Sequence, residues 1–129
     1  MDDPKLKNLR GKKLLLVEDD EFVRDATVRI LSLYGLEIIS AGDLSEAMAE
    51  FSRDKFNLAL IDVNIPGGGG IEVYRKIRAD KFDFPMILIS GDLDSEIADS
   101  CREDRYLSFV HKPYDPIQMA NQLAVICGA

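Results

Sequence analysis

Glu18, Asp19, Asp62, Ser90 and Lys112 are the residues of this chain whose types could do chemistry together. Each stands at or just beyond the carboxyl end of a short apolar run. Asp62 closes Phe56–Ile61 (FNLALI) and precedes a loop holding Pro66 and the run Gly67–Gly70. Glu18, Asp19 and Asp20 follow Lys13–Val17 (KLLLV), Ser90 ends Pro85–Ser90 (PMILIS), and Lys112 follows Leu107–His111 (LSFVH). Short, nearly continuous apolar runs read as strands buried on both faces. In a parallel sheet all such strands bring their carboxyl ends to one edge, where open α/β sheets bind ligands. Three carboxylates on one rim repel, and each raises its neighbours' pKa unless a cation intervenes. A hard divalent ion held by oxygens, Mg²⁺ or its stand-in Mn²⁺, meets that need. Lysine offers a point charge for a phosphate oxygen, and Ser90 offers a hydrogen-bond donor. Carboxylates, a metal, an ammonium and a hydroxyl suit phosphoryl transfer, in which catalysis is mostly positioning and charge neutralisation. Aspartate is an established nucleophile of that kind, forming an aspartyl phosphate.

The elements that must position these groups follow from the pattern. Asp19 or Asp20 caps a helix over Glu21–Tyr34 whose apolar face comprises Phe22, Val23, Ala26, Ile30, Leu31 and Leu33, with Gly35 as its stop. Leu36–Ser40 (LEIIS) reads as a more polar strand near a sheet edge. Asp43 and Glu46 form a capping box for a helix carrying Leu44, Ala47, Met48 and Phe51. Ile71, Val73, Tyr74 and Ile77 mark a helix from the glycine run to about Ala79. Asp94 or Ser95 starts a weak helix through Cys101. Asp115, Pro116 and Gln118 open a last helix using Ile117, Ala120, Leu123, Ala124 and Ile126. Five strands alternating with five helices predict an α/β fold, a parallel sheet with helices on both faces.

The 129 residues predict one domain, with 1–12 as a solvated lead and 13–127 as the folded unit. With 47% apolar residues the chain has enough for a core of two or three layers. A net charge of −7 argues against direct binding of nucleic acid or an anionic membrane. No apolar run approaches a membrane span, and the polar beginning is unlike a secretory signal. Cys101 and Cys127 are isolated and read as two reduced thiols of a cytoplasmic protein.

As a set, Glu18-Asp19, Asp62 with Pro66 and Gly70 after it, Ser90, and Lys112-Pro113 resemble the receiver domain of bacterial two-component response regulators, over essentially residues 13–127. The resemblance implies a doubly wound, flavodoxin-like sheet in the order 2-1-3-4-5. It also implies a regulatory phosphoacceptor that catalyses only its own phosphorylation and dephosphorylation. Asp62 would be the phosphoacceptor, Asp19 the direct metal ligand and Glu18 the ligand acting through water, with the backbone carbonyl of Asn64 completing the protein's share. Lys112 would hold a phosphoryl oxygen. Ser90 and Phe109 would be the switch pair that rearranges the face of the fourth helix, fifth strand and fifth helix for partner docking. Asn64 and Asp92 would tune the lifetime of a short-lived phosphoryl state. The implied partners are a sensor histidine kinase or phosphotransfer protein upstream, and a downstream protein or a separate output domain.

The chain departs from the family pattern in places. Gly69 stands where an Asp is frequent, Arg105-Tyr106-Leu107 replaces the usual Gly-Ala before the fifth strand, and the Asp-Asp pair of the dimerising DNA-binding subfamily is missing before Phe109. Two competing classes remain. An Asp-nucleophile phosphatase commonly has a second Asp two residues after the first, where this chain has Asn64. A non-phosphorylated pseudo-receiver would not need the intact carboxylate set and Lys112. Singly, each residue has a plainer reading: Asp19 as a cap, Ser90 as a strand end, Lys112 and His111 as solvated residues, Phe109 as core packing, and the glycines as a flexible turn lacking the Lys-Ser/Thr of a P-loop.

Overall fold

The computed structural model describes residues 4–67, 69–92 and 95–128. Strands β1 (Lys13–Val17), β2 (Glu37–Ala41), β3 (Leu58–Asp62), β4 (Met86–Ser90) and β5 (Leu107–His111) alternate with helices α1 (Glu21–Leu31), α2 (Leu44–Arg53), α3 (Gly69–Asp80), α4 (Ser95–Glu103) and α5 (Pro116–Cys127). The sheet is all parallel, as the alternation of elements predicts, and its order β2-β1-β3-β4-β5 is the one the resemblance implies. All of β3 and β4 is buried, whereas β2 lies at an edge with Glu37 and Ser40 exposed.

Side chains alternate across a strand, so the sheet feeds two cores. Leu14, Leu16, Leu58, Leu60, Ile87 and Ile89 pack with Leu31 of α1 and Met119, Leu123 and Ala124 of α5. Leu15, Val17, Ala59, Ile61, Met86 and Leu88 pack with Ala47 of α2, Val73 and Ile77 of α3, and Ile97 of α4. The chain passes from β2 back across β1 to β3, so the order reverses between β1 and β3. That reversal is where ligands enter such sheets.

Several expectations are corrected. The beginning of the chain is not wholly a solvated lead: Pro4–Leu9 forms a 3₁₀ turn, Leu9 is fully buried in the α1–α5 core, and Asn8 Nδ2 donates to the Ala124 carbonyl of α5 at 3.3 Å. Residues 1–3 lie outside the described residues. The first helix ends its α part at Leu31 and finishes as a 3₁₀ turn over Ser32–Tyr34. Its buried face includes Thr27 and excludes Phe22 and Leu33, which are 83% and 71% exposed. At about 100° per residue, Phe22 sits well round from Val23 and Thr27. Ile117 is likewise 61% exposed, and Met119 takes the core position instead. Of the two expected caps of α1, Asp20 is the one used, accepting from Phe22 N and Val23 N. In the α2 box Asp43 accepts from Glu46 N, while Glu46 Oε1 reaches Gly42 N and not the cap residue itself. For α4, Ser95 is the first helical residue and the helix runs to Glu103; the alternative start, Asp94, lies outside the described residues, as does Gly68 of the glycine run.

Where Arg105-Tyr106-Leu107 replaces the family's small residues, a polar cluster holds the turn. Asp104 Oδ2 accepts from Tyr74 Oη and Arg78 Nε, both at 2.7 Å, and Arg78 also donates to the carbonyls of Phe84 and Tyr106. Burial, reinforced by Asp104, pushes the Tyr74 hydroxyl up to about 12.

Candidate functional site

Glu18 and Asp19 leave β1 and Asp62 ends β3, so adjacent strands bring the acids to one rim. One carboxylate oxygen from each lies within 4.8 Å of the others. Asp62 is 2% exposed, and Asp19 faces solvent. Asn64 N donates to Asp62 Oδ1 at 2.9 Å, and Lys112 Nζ donates to Asp62 Oδ2 at 2.7 Å. Lys112 is placed by the last bond of the sheet ladder, from its own N–H to the Ser90 carbonyl at 2.9 Å. The cis bond joins Lys112 to Pro113. Together Glu18, Asp19, Asp20, Asp62, Asn64, Lys112 and Tyr114 line an open cleft of about 610 Å³.

The charges are strongly interdependent. Burial, with the adjacent Asp62 carboxylate, pushes Glu18 up to about 7, against the Asp20 N–H and Lys112, which pull it down. Burial lowers Lys112, but the hydrogen bond and charge of Asp62 and the charge of Glu18 outweigh it and raise it. Three carboxylates thus face one ammonium, an all-oxygen donor set short of positive charge, which fits a hard divalent cation.

The structure gathers Glu18, Asp19, Asp62, Asn64 and Lys112. Ser90 is buried on the neighbouring strand, but its hydroxyl is engaged locally: it donates to the Asp92 carbonyl at 2.9 Å and accepts from Asp92 N at 3.1 Å. Neither it nor Asp92, which is exposed, lines the cleft. Phe109 is half-buried against the α2–α3–α4 core, edge-on to the exposed His111. The loop after Asp62 turns at Gly67 and Gly69, with φ of 82° and 80°. Position 69 is thus in the left-handed region, which Asp tolerates better than most residues and glycine best of all.

Sequence reasoning missed three residues around the site. Arg24 Nη1 donates to the Glu18 carbonyl at 3.2 Å, and Thr27 Oγ1 meets Tyr114 Oη at 3.0 Å. Thr27 lies four residues after Val23 on the buried face of α1, and Tyr114 lies two after Lys112. Those spacings were the only available signals for this pair, since the Thr27–Tyr114 contact joins residues 87 apart in the chain.

A parallel sheet in this order with an acidic rim and a lysine opposite defines a receiver fold. The family of the response regulator receiver domain matches residues 14–124, and the chain belongs to that family. It is 34% identical over 101 residues to the C4-dicarboxylate transport transcriptional regulatory protein DctD of Rhizobium meliloti (strain 1021), spanning 78% of this chain but 22% of that protein. It is 36% identical over 100 residues to a cyclic di-GMP phosphodiesterase of Thermotoga maritima, spanning 78% of this chain and 27% of that one. The chain therefore corresponds to about a quarter of the length of these curated relatives. The crystal structure of a CheY-like receiver domain protein from Methanospirillum hungatei JF-1 superposes with a TM-score of 0.83 at 26% identity, covering 91% of this chain and 94% of that one. No helix among the described residues is long and apolar enough to cross a membrane.

Proposed function

We propose that the chain is a cytoplasmic phosphoacceptor switch in which Asp62 takes a phosphoryl group from a histidine kinase or phosphotransfer protein. The observation that carries this reading is the Asp62 carboxylate at the end of buried β3, bonded by Lys112 at 2.7 Å and flanked by Glu18 and Asp19. An Asp62 oxygen attacks phosphorus, the bond from phosphorus to the donor's leaving atom breaks, and an acyl phosphate results. Lys112 moves its contact from the carboxylate to a phosphoryl oxygen and neutralises charge there. Glu18, Asp19, Asp62 and the Asn64 carbonyl would hold Mg²⁺ or Mn²⁺, which when bound supplies positive charge to the transferring phosphoryl oxygens. Phosphoryl uptake from a small-molecule donor, followed by intact mass, tests this: one phosphoryl group with Mg²⁺ and none with chelator supports it, and no uptake in either opposes it.

Glu18 makes cation binding pH-dependent. Its carboxyl is raised from 4.5 to about 7, so in chelator the folded state keeps a proton that the unfolded chain has given up between those values. This contribution to stability is full below 4.5 and lost as pH rises through about 7. A bound cation needs the ionised form, so Mg²⁺ affinity should rise about tenfold per pH unit below that point and then level off. Thermal unfolding in chelator and Mg²⁺ titration, each across this range, should therefore show opposite trends. A flat Mg²⁺ affinity would remove Glu18 from the site.

Ser90 couples the phosphoryl group to the α4–β5–α5 face. To reach it, the hydroxyl must leave the Asp92 carbonyl, vacating space that Phe109 can enter. Such a switch needs two packings that differ by only a few kcal/mol, so the phosphoryl contacts must discriminate by roughly 1–5 kcal/mol. Ser90→Ala should still accept phosphate but confine beryllofluoride-induced amide shifts to the rim. Wild-type shifts across α4 and β5 in that variant would show that Ser90 is not the coupling group.

A further inference from the structure

We propose that Tyr114 is a positioning residue for phosphoryl transfer, its hydroxyl bonded to Thr27 of α1 so that the loop presenting Lys112 to Asp62 is fixed. The role rests on Asp62 being the phosphoacceptor, and it concerns how the single ammonium of the cleft is held.

The loop is short. The Lys112 N–H makes the last sheet bond, and Asp115 already caps α5 by accepting from Ile117 N at 2.8 Å. Only Pro113 and Tyr114 lie between them, and proline has no N–H to donate. The lysine side chain is 36% exposed and has a flexible stem, so its aim depends on where this loop sits.

Tyr114 supplies the anchor. Thr27 is 7% exposed, and its Oγ1 gives its one proton to the Val23 carbonyl at 2.8 Å. In the 3.0 Å contact between the two hydroxyls, Tyr114 is therefore the donor and Thr27 the acceptor. The ring packs on the α1–α5 core and lines both the acidic cleft and an apolar groove between α1 and α5. The same helix holds the opposite wall: Arg24 donates to the Glu18 carbonyl, and Asp20 caps the first turn. One rigid element thus sets the acidic loop and the lysine loop relative to each other. Positioning of this kind matters because displacement by 1 Å can cost about 100-fold in rate.

A tyrosine that merely satisfied the core would affect stability and nothing else. The test compares phosphorylation rates with acetyl phosphate and Mg²⁺ in Tyr114→Phe, Thr27→Val, Thr27→Ser, Lys112→Ala and the Tyr114→Phe/Lys112→Ala double variant. Tyr114→Phe and Thr27→Val should each be slower by about 10-fold, and Thr27→Ser, which keeps the acceptor, should restore the wild-type rate. Once Lys112 is gone, Tyr114→Phe should slow the reaction no further. Without Mg²⁺ or donor, the loop amides at 112, 114 and 115 should exchange faster in Tyr114→Phe than in wild type. A wild-type rate in Tyr114→Phe, or an undiminished effect in the Lys112→Ala background, overturns the role while Asp62 remains the acceptor. Failure of wild type itself to take phosphate overturns the acceptor reading and this role with it.

Discussion

Asp62→Asn is expected to abolish phosphoryl uptake. Asparagine keeps the shape of the side chain, so the sheet should form unchanged, but its amide oxygen carries no charge with which to attack phosphorus. Removing an attacking nucleophile registers on the order of 10⁶-fold, so no label should accumulate on the time scale that saturates wild type. The variant also removes the negative charge that helps hold Glu18 at about 7. Its stability in chelator should therefore vary less with pH than that of wild type, which separates a change at the site from general damage. Intact mass after incubation with donor and Mg²⁺ reads the first effect, and equal labelling of variant and wild type would remove Asp62 from the role.

Gly70→Ala should damage the site through the backbone. A Cβ at position 70 would stand 2.2 Å from the Asp62 carbonyl oxygen and 2.8 Å from Val63 Cα, and backbone atoms of a central strand cannot rotate away. The same residue donates its N–H to the Val63 carbonyl at 2.8 Å, seating the start of α3 on the end of β3. The cost is expected to be roughly 3 kcal/mol, the upper end of ordinary over-packing, with phosphorylation slowed because the displaced strand end carries Asp62. Chemical denaturation and a labelling time course check both parts. Wild-type stability would mean that α3 can shift without disturbing β3. Gly91→Ala is the contrasting case: nothing lies within 4 Å of a Cβ there, so stability should barely change.

What the sequence revealed and what it concealed divide along a physical line. The strands were legible because burial on both faces leaves an unbroken apolar run, as in Leu58–Asp62 and Met86–Ser90. The residue ending each run then locates the rim without knowledge of any contact. Boundaries shifted where local pattern was ambiguous: Phe56 is buried but precedes β3, and Ala41 belongs to β2. Apolar spacing puts Phe22 on the helix's apolar face, yet helix geometry turns it outward while Thr27 faces inward. Contacts between distant segments left no local trace. Leu9 is buried by α5 more than a hundred residues later, Tyr114 in the loop before α5 finds Thr27 of α1, and Asp104 collects Tyr74 and Arg78 from α3. Ser90 was legible by position only, since the sequence gives no hint that its hydroxyl closes on Asp92.

The central claim is that Asp62, among the acids of the rim, carries the phosphoryl group. An aspartyl phosphate is reduced by borohydride to homoserine, which marks the acceptor permanently in the chain. Wild-type protein should be phosphorylated with acetyl phosphate and Mg²⁺, reduced, digested, and the peptides sequenced by mass spectrometry. Homoserine at position 62 and at no other aspartate is the predicted result. Homoserine at Asp19 or Asp20, or none at all despite saturating donor, would contradict it.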